Sequence, residues 1–198
     1  MRAVIFDIDG TLLQSNELDD RTYASVIQDV LGPVRLRESW GHYKNISGSG
    51  TLTEILEDNA IAVSAAALRA VEDAFVARIA KHIDDHGPII EVPGALGFVR
   101  RLAESADCKI AYATSGWGAS ARIKLKSSQF PLDGIPLVSC NDYIDKASIM
   151  AHALRQLGSR FESICYYGDG ERDRLAAAEL GWDFVAVGKK LNGLRSFD

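Results

Sequence analysis

A chain of 198 residues with 47% hydrophobic residues and a mean hydropathy of -0.02 can bury a sizeable core, as one domain or as a core with a modest insert. Its formal net charge of -5, a pI near 5.4 and the lack of a basic cluster exclude nucleic acid and anionic membrane as main partners, which leaves small solutes. No apolar run approaches the ~18 residues of a membrane span, and the first residues are unlike a secretory signal, so a cytoplasmic location is expected.

Val4 to Phe6 is a short apolar run fit for a buried strand, and Asp7-Ile8-Asp9-Gly10-Thr11-Leu12 follows it directly. Side chains alternate along a strand, so Asp7 and Asp9 can face one side of its end while Ile8 turns into the core. Neighbouring carboxylates disfavour each other's ionisation, a cost that a hard cation between them removes. Taken alone, the same residues also fit an acidic surface turn.

Asp19 to Leu31 reads as a helix stopped by Gly32-Pro33, with Tyr23, Val26, Ile27, Val30 and Leu31 at helical spacing. Val34 to Tyr43 is weakly helical and leads into the small polar loop Lys44 to Gly50. Thr51 or Thr53 is positioned to cap a helix over Leu52 to Asn59, and Ser64 one over Ala65 to Ile83. Residues 14–87 are thus expected to be helix and loop throughout.

Beyond Gly87, short apolar runs alternate with amphipathic segments, the pattern of a parallel sheet with helices on its faces. Strands are expected over Lys109 to Ala113, Ile135 to Ser139, Ser163 to Tyr167 and Phe184 to Val187. Helices are expected from Pro93-Gly94 to about Leu102, and near Ala119 to Lys126, Lys146 to Leu157 and Asp173 to Leu180. The fold class is therefore α/β, a Rossmann-like parallel sheet flanked by helices, with a helical segment inserted after the first strand. Ligands in such sheets bind beyond the carboxyl ends of the strands.

Thr114-Ser115-Gly116 closes one strand and offers a hydroxyl and backbone N–H groups to an anion, although a helix N-cap would use the same residues. Asp169-Gly170-Glu171-Arg172-Asp173 closes another; Asp173 also suits a helix start, and Glu171 and Arg172 are expected to face solvent. Lys146 stands at a helix start, where the dipole mildly disfavours a cation. Lys124 and Lys126 lie on what reads as a solvated helix face.

Cys108, Cys140 and Cys165 lack the pairing of metal knuckles or disulfide frameworks and are expected as reduced thiols in or near the core. Gly48-Ser49-Gly50 and Gly168-Asp169-Gly170 lack the third glycine of a dinucleotide fingerprint, and there is no Walker lysine pattern. The four histidines show no metal-ligand spacing; His42 adjoins the small polar loop.

The run Asp7 to Leu12 resembles the first motif of the haloacid dehalogenase-like hydrolase superfamily. Thr114, Lys146 and the pair Asp169 and Asp173 resemble its later motifs in order. Many relatives carry proline after the lysine, where this chain has Ala147. The resemblance implies a Mg2+-dependent phosphatase acting on a small phosphorylated metabolite through an aspartyl-phosphate intermediate. Asp7 would be the nucleophile and Asp9 the acid and base. Magnesium would be held by Asp7, the Asp9 carbonyl, Asp169 and Asp173. Thr114, Ser115, Gly116, Thr11 and Lys146, with Lys124 or Lys126 in reserve, would hold the phosphoryl group. The core would comprise 1–13 and 88–198, and 14–87 would be a helical cap whose loop offers His42, Lys44 and Asn45 to the substrate. A phosphomutase and a non-catalytic phosphate-binding protein stand as alternatives; the oligomeric state is not read from the sequence.

Overall fold

The computed structural model describes residues 1–158 and 160–198. Five strands, β1 (Arg2–Phe6), β2 (Cys108–Ala113), β3 (Leu137–Val138), β4 (Ser163–Gly168) and β5 (Asp183–Ala186), form one parallel sheet in the order β3-β2-β1-β4-β5. The chain leaves β1 toward β2 on one side and later returns to place β4 on the other. The strand order therefore reverses at β1, where such sheets open a crevice at their carboxyl ends.

Burial of β1 on both faces follows from its sequence. Val4 and Phe6 join Val99 and Leu102 of α4 (Ala95–Ala103) and Ala121 and Leu125 of α5 (Gly118–Ser127). Ala3 and Ile5 turn the other way, onto Ile149, Met150 and Ala153 of α6 (Lys146–Gln156) and Ala176 and Ala177 of α7 (Glu171–Leu180). A parallel strand covered on both faces needs this unbroken apolar run, and each large side chain so buried contributes about 1.5–3 kcal/mol. Phe6 stands in register with Tyr112 on one side and Tyr167 on the other, so β1, β2 and β4 end together.

The helices between β1 and β2 include α1 (Asn16–Leu31), α2 (Gly48–Asp58) and α3 (Ala65–His86), which enclose a third core of Val26, Ile27, Leu52, Ile55, Leu56, Val71, Phe75 and Ile79. Trp117 and Cys140 join that core from the sheet side. The two connections to these helices run side by side: Gln14 N–H donates to Ile90 O at 2.9 Å and Val92 N–H to Leu12 O at 2.8 Å. Among the described residues no helix is long and apolar enough to cross a membrane.

Several local expectations change. Val34 to Tyr43 is not a weak helix; only a short 3-10 turn, Trp40–His42, forms there, because Tyr43 and Val34 are drawn into the third core. Helix α2 starts at Gly48 rather than after Thr51, since the Ser47 hydroxyl accepts from Gly50 N–H and caps it. Thr51 and Thr53 lie inside that helix and donate back to Asn45 O and Ser49 O. The third strand is only Leu137–Val138, shorter than Ile135 to Ser139, because it pairs solely with the end of β2.

Candidate active site

Asp7 follows β1 directly and is fixed there by its own N–H, which donates to Tyr167 O at 2.9 Å. The tight turn behind it, in which Leu12 and Leu13 N–H both donate to Ile8 O, brings the Thr11 hydroxyl back to Asp7 Oδ2 at 3.1 Å. Gly10 makes that turn possible: its φ is +84°, and any Cβ there would collide with the Asn16 amide and the Asp169 carboxylate.

Lys146 opens α6, whose first turn is capped by Asp145 Oδ1 accepting from Ser148 N–H at 2.8 Å. Its Nζ lies 2.7 Å from Asp7 Oδ1, 3.0 Å from Asp173 Oδ1 and 3.1 Å from Ala113 O. Burial alone would push the Lys146 ammonium down, but Asp173 and Asp7 outweigh it and hold its pKa well above the usual lysine range. Ala147, next to it, packs against the core formed by Ala3, Ile5, Ile149 and Met150.

Asp169 follows β4 and accepts from Asn16 Nδ2 at 2.8 Å and from the largely exposed Lys190 at 3.1 Å. Asp173 is buried in the first turn of α7 and accepts from Gly170 N–H at 3.1 Å. One carboxylate oxygen from each of Asp7, Asp169 and Asp173 can be chosen so that all three lie within 4.8 Å of one another. Burial, with Asp173, Asp169 and Asp9 nearby, pushes the Asp7 carboxyl up to about 8 although Lys146 opposes the shift. Such a trio of hard oxygen donors, crowded and short of positive charge, suits a divalent cation of the magnesium type.

The Asp9 side chain stands apart from the trio. Its Oδ1 accepts from the Ser15 hydroxyl and from Lys124 Nζ, and Lys124 also reaches Asp19 Oδ2 at 2.6 Å. Lys124 is fully buried, which corrects the solvated face expected from the sequence: α5 is packed against the sheet on one side and contacted by α3 on the other. Burial would lower the Lys124 pKa, yet Asp9 and Asp19 raise it overall. Asp19, by the same burial and the neighbouring Asp9, is raised to about 7 against the pull of Lys124.

Thr114 directly follows β2, is buried, and its Oγ accepts from Gly116 N–H at 2.9 Å. Thr114, Ser115 and Gly116 line a cleft of about 250 Å3 together with Asp7, Asp9, Lys146, Asp169 and Asp173. Thr11 lies behind Asp7, outside the lining. Tyr23, Trp40, Phe75 and Trp117 also line the cleft, and Tyr23 ties it together by donating to Gly48 O at 2.7 Å.

His42, Lys44 and Asn45 do not line the cleft, and His42 and Lys44 are exposed. Glu54 accepts the N–H groups of Lys44 and Asn45, and Arg37 holds His42 O, so the loop instead offers Ile46, Ser47 and Gly48. Arg172 does not simply face solvent: its guanidinium donates to Lys44 O at 2.7 Å and Tyr43 O at 2.9 Å. Lys126 is absent from the cleft lining. The three cysteines are free, and burial raises Cys140 and Cys165 to about 11, so neither is a ready nucleophile.

The parallel sheet thus carries a lysine-paired carboxylate and an acidic trio at its switch point. The model of the haloacid dehalogenase-like hydrolases matches residues 1–181, and the chain belongs to that family. Solved structures share the fold. One is a hydrolase from Pseudomonas syringae, 22% identical with a TM-score of 0.73 over 94% of this chain and 84% of that one. CbbY from Rhodobacter sphaeroides, in complex with phosphate, is 20% identical with a TM-score of 0.69, over 98% and 88%. A β-phosphoglucomutase from Clostridium difficile is 18% identical with a TM-score of 0.72, over 96% and 86%. No curated protein matches the sequence.

Proposed function

We propose that the protein is a Mg2+-dependent phosphatase that hydrolyses a small phosphate monoester through an aspartyl phosphate on Asp7. The observation that carries this reading is Lys146 Nζ set 2.7 Å from Asp7 and 3.0 Å from Asp173, with Asp169 completing the acidic trio. Phosphate bound to the CbbY structure and a xylulose-(1,5)bisphosphate bound to a CbbY mutant support a phosphorylated metabolite as substrate.

Magnesium held by Asp7, Asp169 and Asp173 would supply the positive charge that lets an anionic nucleophile approach an anionic phosphoryl group. Asp7, steadied by Thr11 on Oδ2, attacks phosphorus while the bond to the alcohol oxygen breaks. Lys146, the Ser115 N–H and the Thr114 hydroxyl, which Gly116 N–H orients, take up the charge on the phosphoryl oxygens. Asp9 gives its proton to the departing alcohol oxygen. Its Oδ1 is held by Ser15 and Lys124, so Oδ2, on the Gly116 side, is the oxygen for this step. Asp9 then takes a proton from the water that attacks the aspartyl phosphate, releasing phosphate and restoring Asp7.

Residues 14–87 act in this reading as a helical cap. The paired connections at Leu12–Gln14 and Ile90–Val92 form its hinge, and its closure leaves one positioned water at the phosphoryl group. Hydrolysis is favoured over phosphomutation by the charge of the cleft. A phosphorylated sugar discharging the intermediate would bring a second phosphate, yet among the described lining residues Lys146 is the one cation and Asp7 and Asp173 already engage it.

The test is phosphate release from a panel of phosphorylated metabolites, with Mg2+ and with chelator, for the wild type and Asp7→Asn. Release that needs both Mg2+ and Asp7 supports the reading. Interconversion of sugar phosphates without release would instead establish the mutase.

A further inference from the structure

The wall of the cleft facing the acids is aromatic. Tyr23 stands at 5.4 Å from both Trp40 and Trp117, ring centroid to centroid, and Phe75 stands 5.0 Å from Trp117. Tyr23 and Trp40 are half-buried where they line the cleft, whereas Phe75 and Trp117, which also line it, are buried. These rings come from four elements, α1, the Trp40–His42 turn, α3 and the residue capping α5, and all four line the same space. The rings share this lining with Thr114, Ser115, Gly116 and Lys146, so they border the same space as the residues proposed to hold phosphate.

Beside the rings the lining carries Asp19 and Asp20 and no arginine, lysine or histidine among the described residues other than Lys146. Asp20 is largely exposed, and its carboxyl is raised by partial burial and by Asp169 and Asp9, with Lys190 opposing the shift. Apart from Lys190, which Asp169 already holds at 3.1 Å, a leaving group bearing a carboxylate or a second phosphate would meet acids there rather than counter-charge. A flat apolar group would instead stack on Trp40 and Tyr23. At about 250 Å3 the space suits a phosphoryl group with one ring.

We infer that the substrate is a phosphate monoester of a compact aromatic alcohol, uncharged or cationic beyond its phosphate, recognised by stacking on Trp40 and Tyr23. This deepens the proposed phosphatase reading and rests on it.

The test compares esters of similar alcohol chemistry: benzyl phosphate, ethyl phosphate and 2-carboxyethyl phosphate, assayed with Mg2+ on the full chain. The expected order of kcat/KM is benzyl, then ethyl, then carboxyethyl, with benzyl ahead of ethyl by about tenfold or more, as one stacked and buried ring provides. Trp40→Ala should cost benzyl phosphate about tenfold more than ethyl phosphate, and Trp40→Phe should recover most of the difference. Asp20→Lys should raise kcat/KM for the carboxyethyl ester relative to the ethyl ester. A carboxyethyl preference in the wild type, or equal losses for benzyl and ethyl phosphate in Trp40→Ala, overturns the inference while leaving the phosphatase standing. No Asp7-dependent release from any of the three esters would strike the phosphatase reading itself, and this inference with it.

Discussion

Lys124 binds the carboxylate of Asp9 from a fully buried position, and the same ammonium holds Asp19 at 2.6 Å. One cation thus ties Asp9, the acid proposed to serve the leaving group, to α1, the first of the helices proposed to form the cap. Removing it should be costly, because two partly buried acids would lose their fully buried counter-ion. Lys124→Met is expected to destabilise the fold by about 3–5 kcal/mol in chemical denaturation. In any folded fraction, hydrolysis of alkyl phosphates should fall further than that of p-nitrophenyl phosphate, whose alcohol needs little help from an acid.

Asp9→Asn should slow the hydrolysis of alkyl phosphates by about 10² to 10⁴. The carboxylates of Asp7, Asp169 and Asp173 remain in place, so the Mg2+ concentration giving half-maximal rate should stay close to that of the wild type. Asp169→Ala should do the reverse and raise the Mg2+ requirement. A Mg2+ titration of each variant, followed by phosphate release, checks both.

Burial and the nearby Asp9 raise Asp19 in the folded state to about 7 from the ordinary 3.8 of a free aspartate. Between those values the folded chain holds a proton that the unfolded chain has released. This group's contribution is therefore fully present below about pH 3.8 and is lost as pH rises toward 7, with a slope on the order of 1 kcal/mol per pH unit. Asp19→Asn should flatten the fall in stability across that window. Urea denaturation at a series of pH values reads the difference between the two slopes.

Arg172→Ala removes two hydrogen bonds from the start of α7 to the carbonyls of Tyr43 and Lys44. The arginine is partly exposed, so the expected cost is about 1 kcal/mol. Hydrogen exchange should quicken in residues 40–47 and stay unchanged in β1. Uniform quickening across the sheet would show instead that Arg172 supports the whole fold.

The sheet was legible because a strand buried on both faces leaves an apolar run, as Val4 to Phe6 does, and because Asp7, Thr114 and Asp169 directly follow three such runs. Lys124 was not. A lysine on a helix reads as a solvated face, and only the packing of α3 over α5 shows that this one has no water to face. The loop from His42 to Gly50 was legible only in part, for a related reason. Its polar side chains suggested substrate contacts, but Glu54, in the following helix, takes the backbone N–H groups of Lys44 and Asn45 and fixes which part of the loop faces the cleft. Tyr23, Phe75 and Trp117 carry no signal that separates a cleft wall from a core. They join the third core or pack against it as well as lining the cleft.

The central claim is a covalent bond from Asp7 to phosphorus. Acid quenching during steady turnover of a hydrolysed ester, followed by peptide mass spectrometry, tests it most directly. The account predicts a phosphoryl adduct on the peptide carrying Asp7, formed and lost fast enough to support turnover, with adduct and turnover both absent in Asp7→Asn. Full turnover by Asp7→Asn, or a phosphoryl adduct on a different residue, would contradict it.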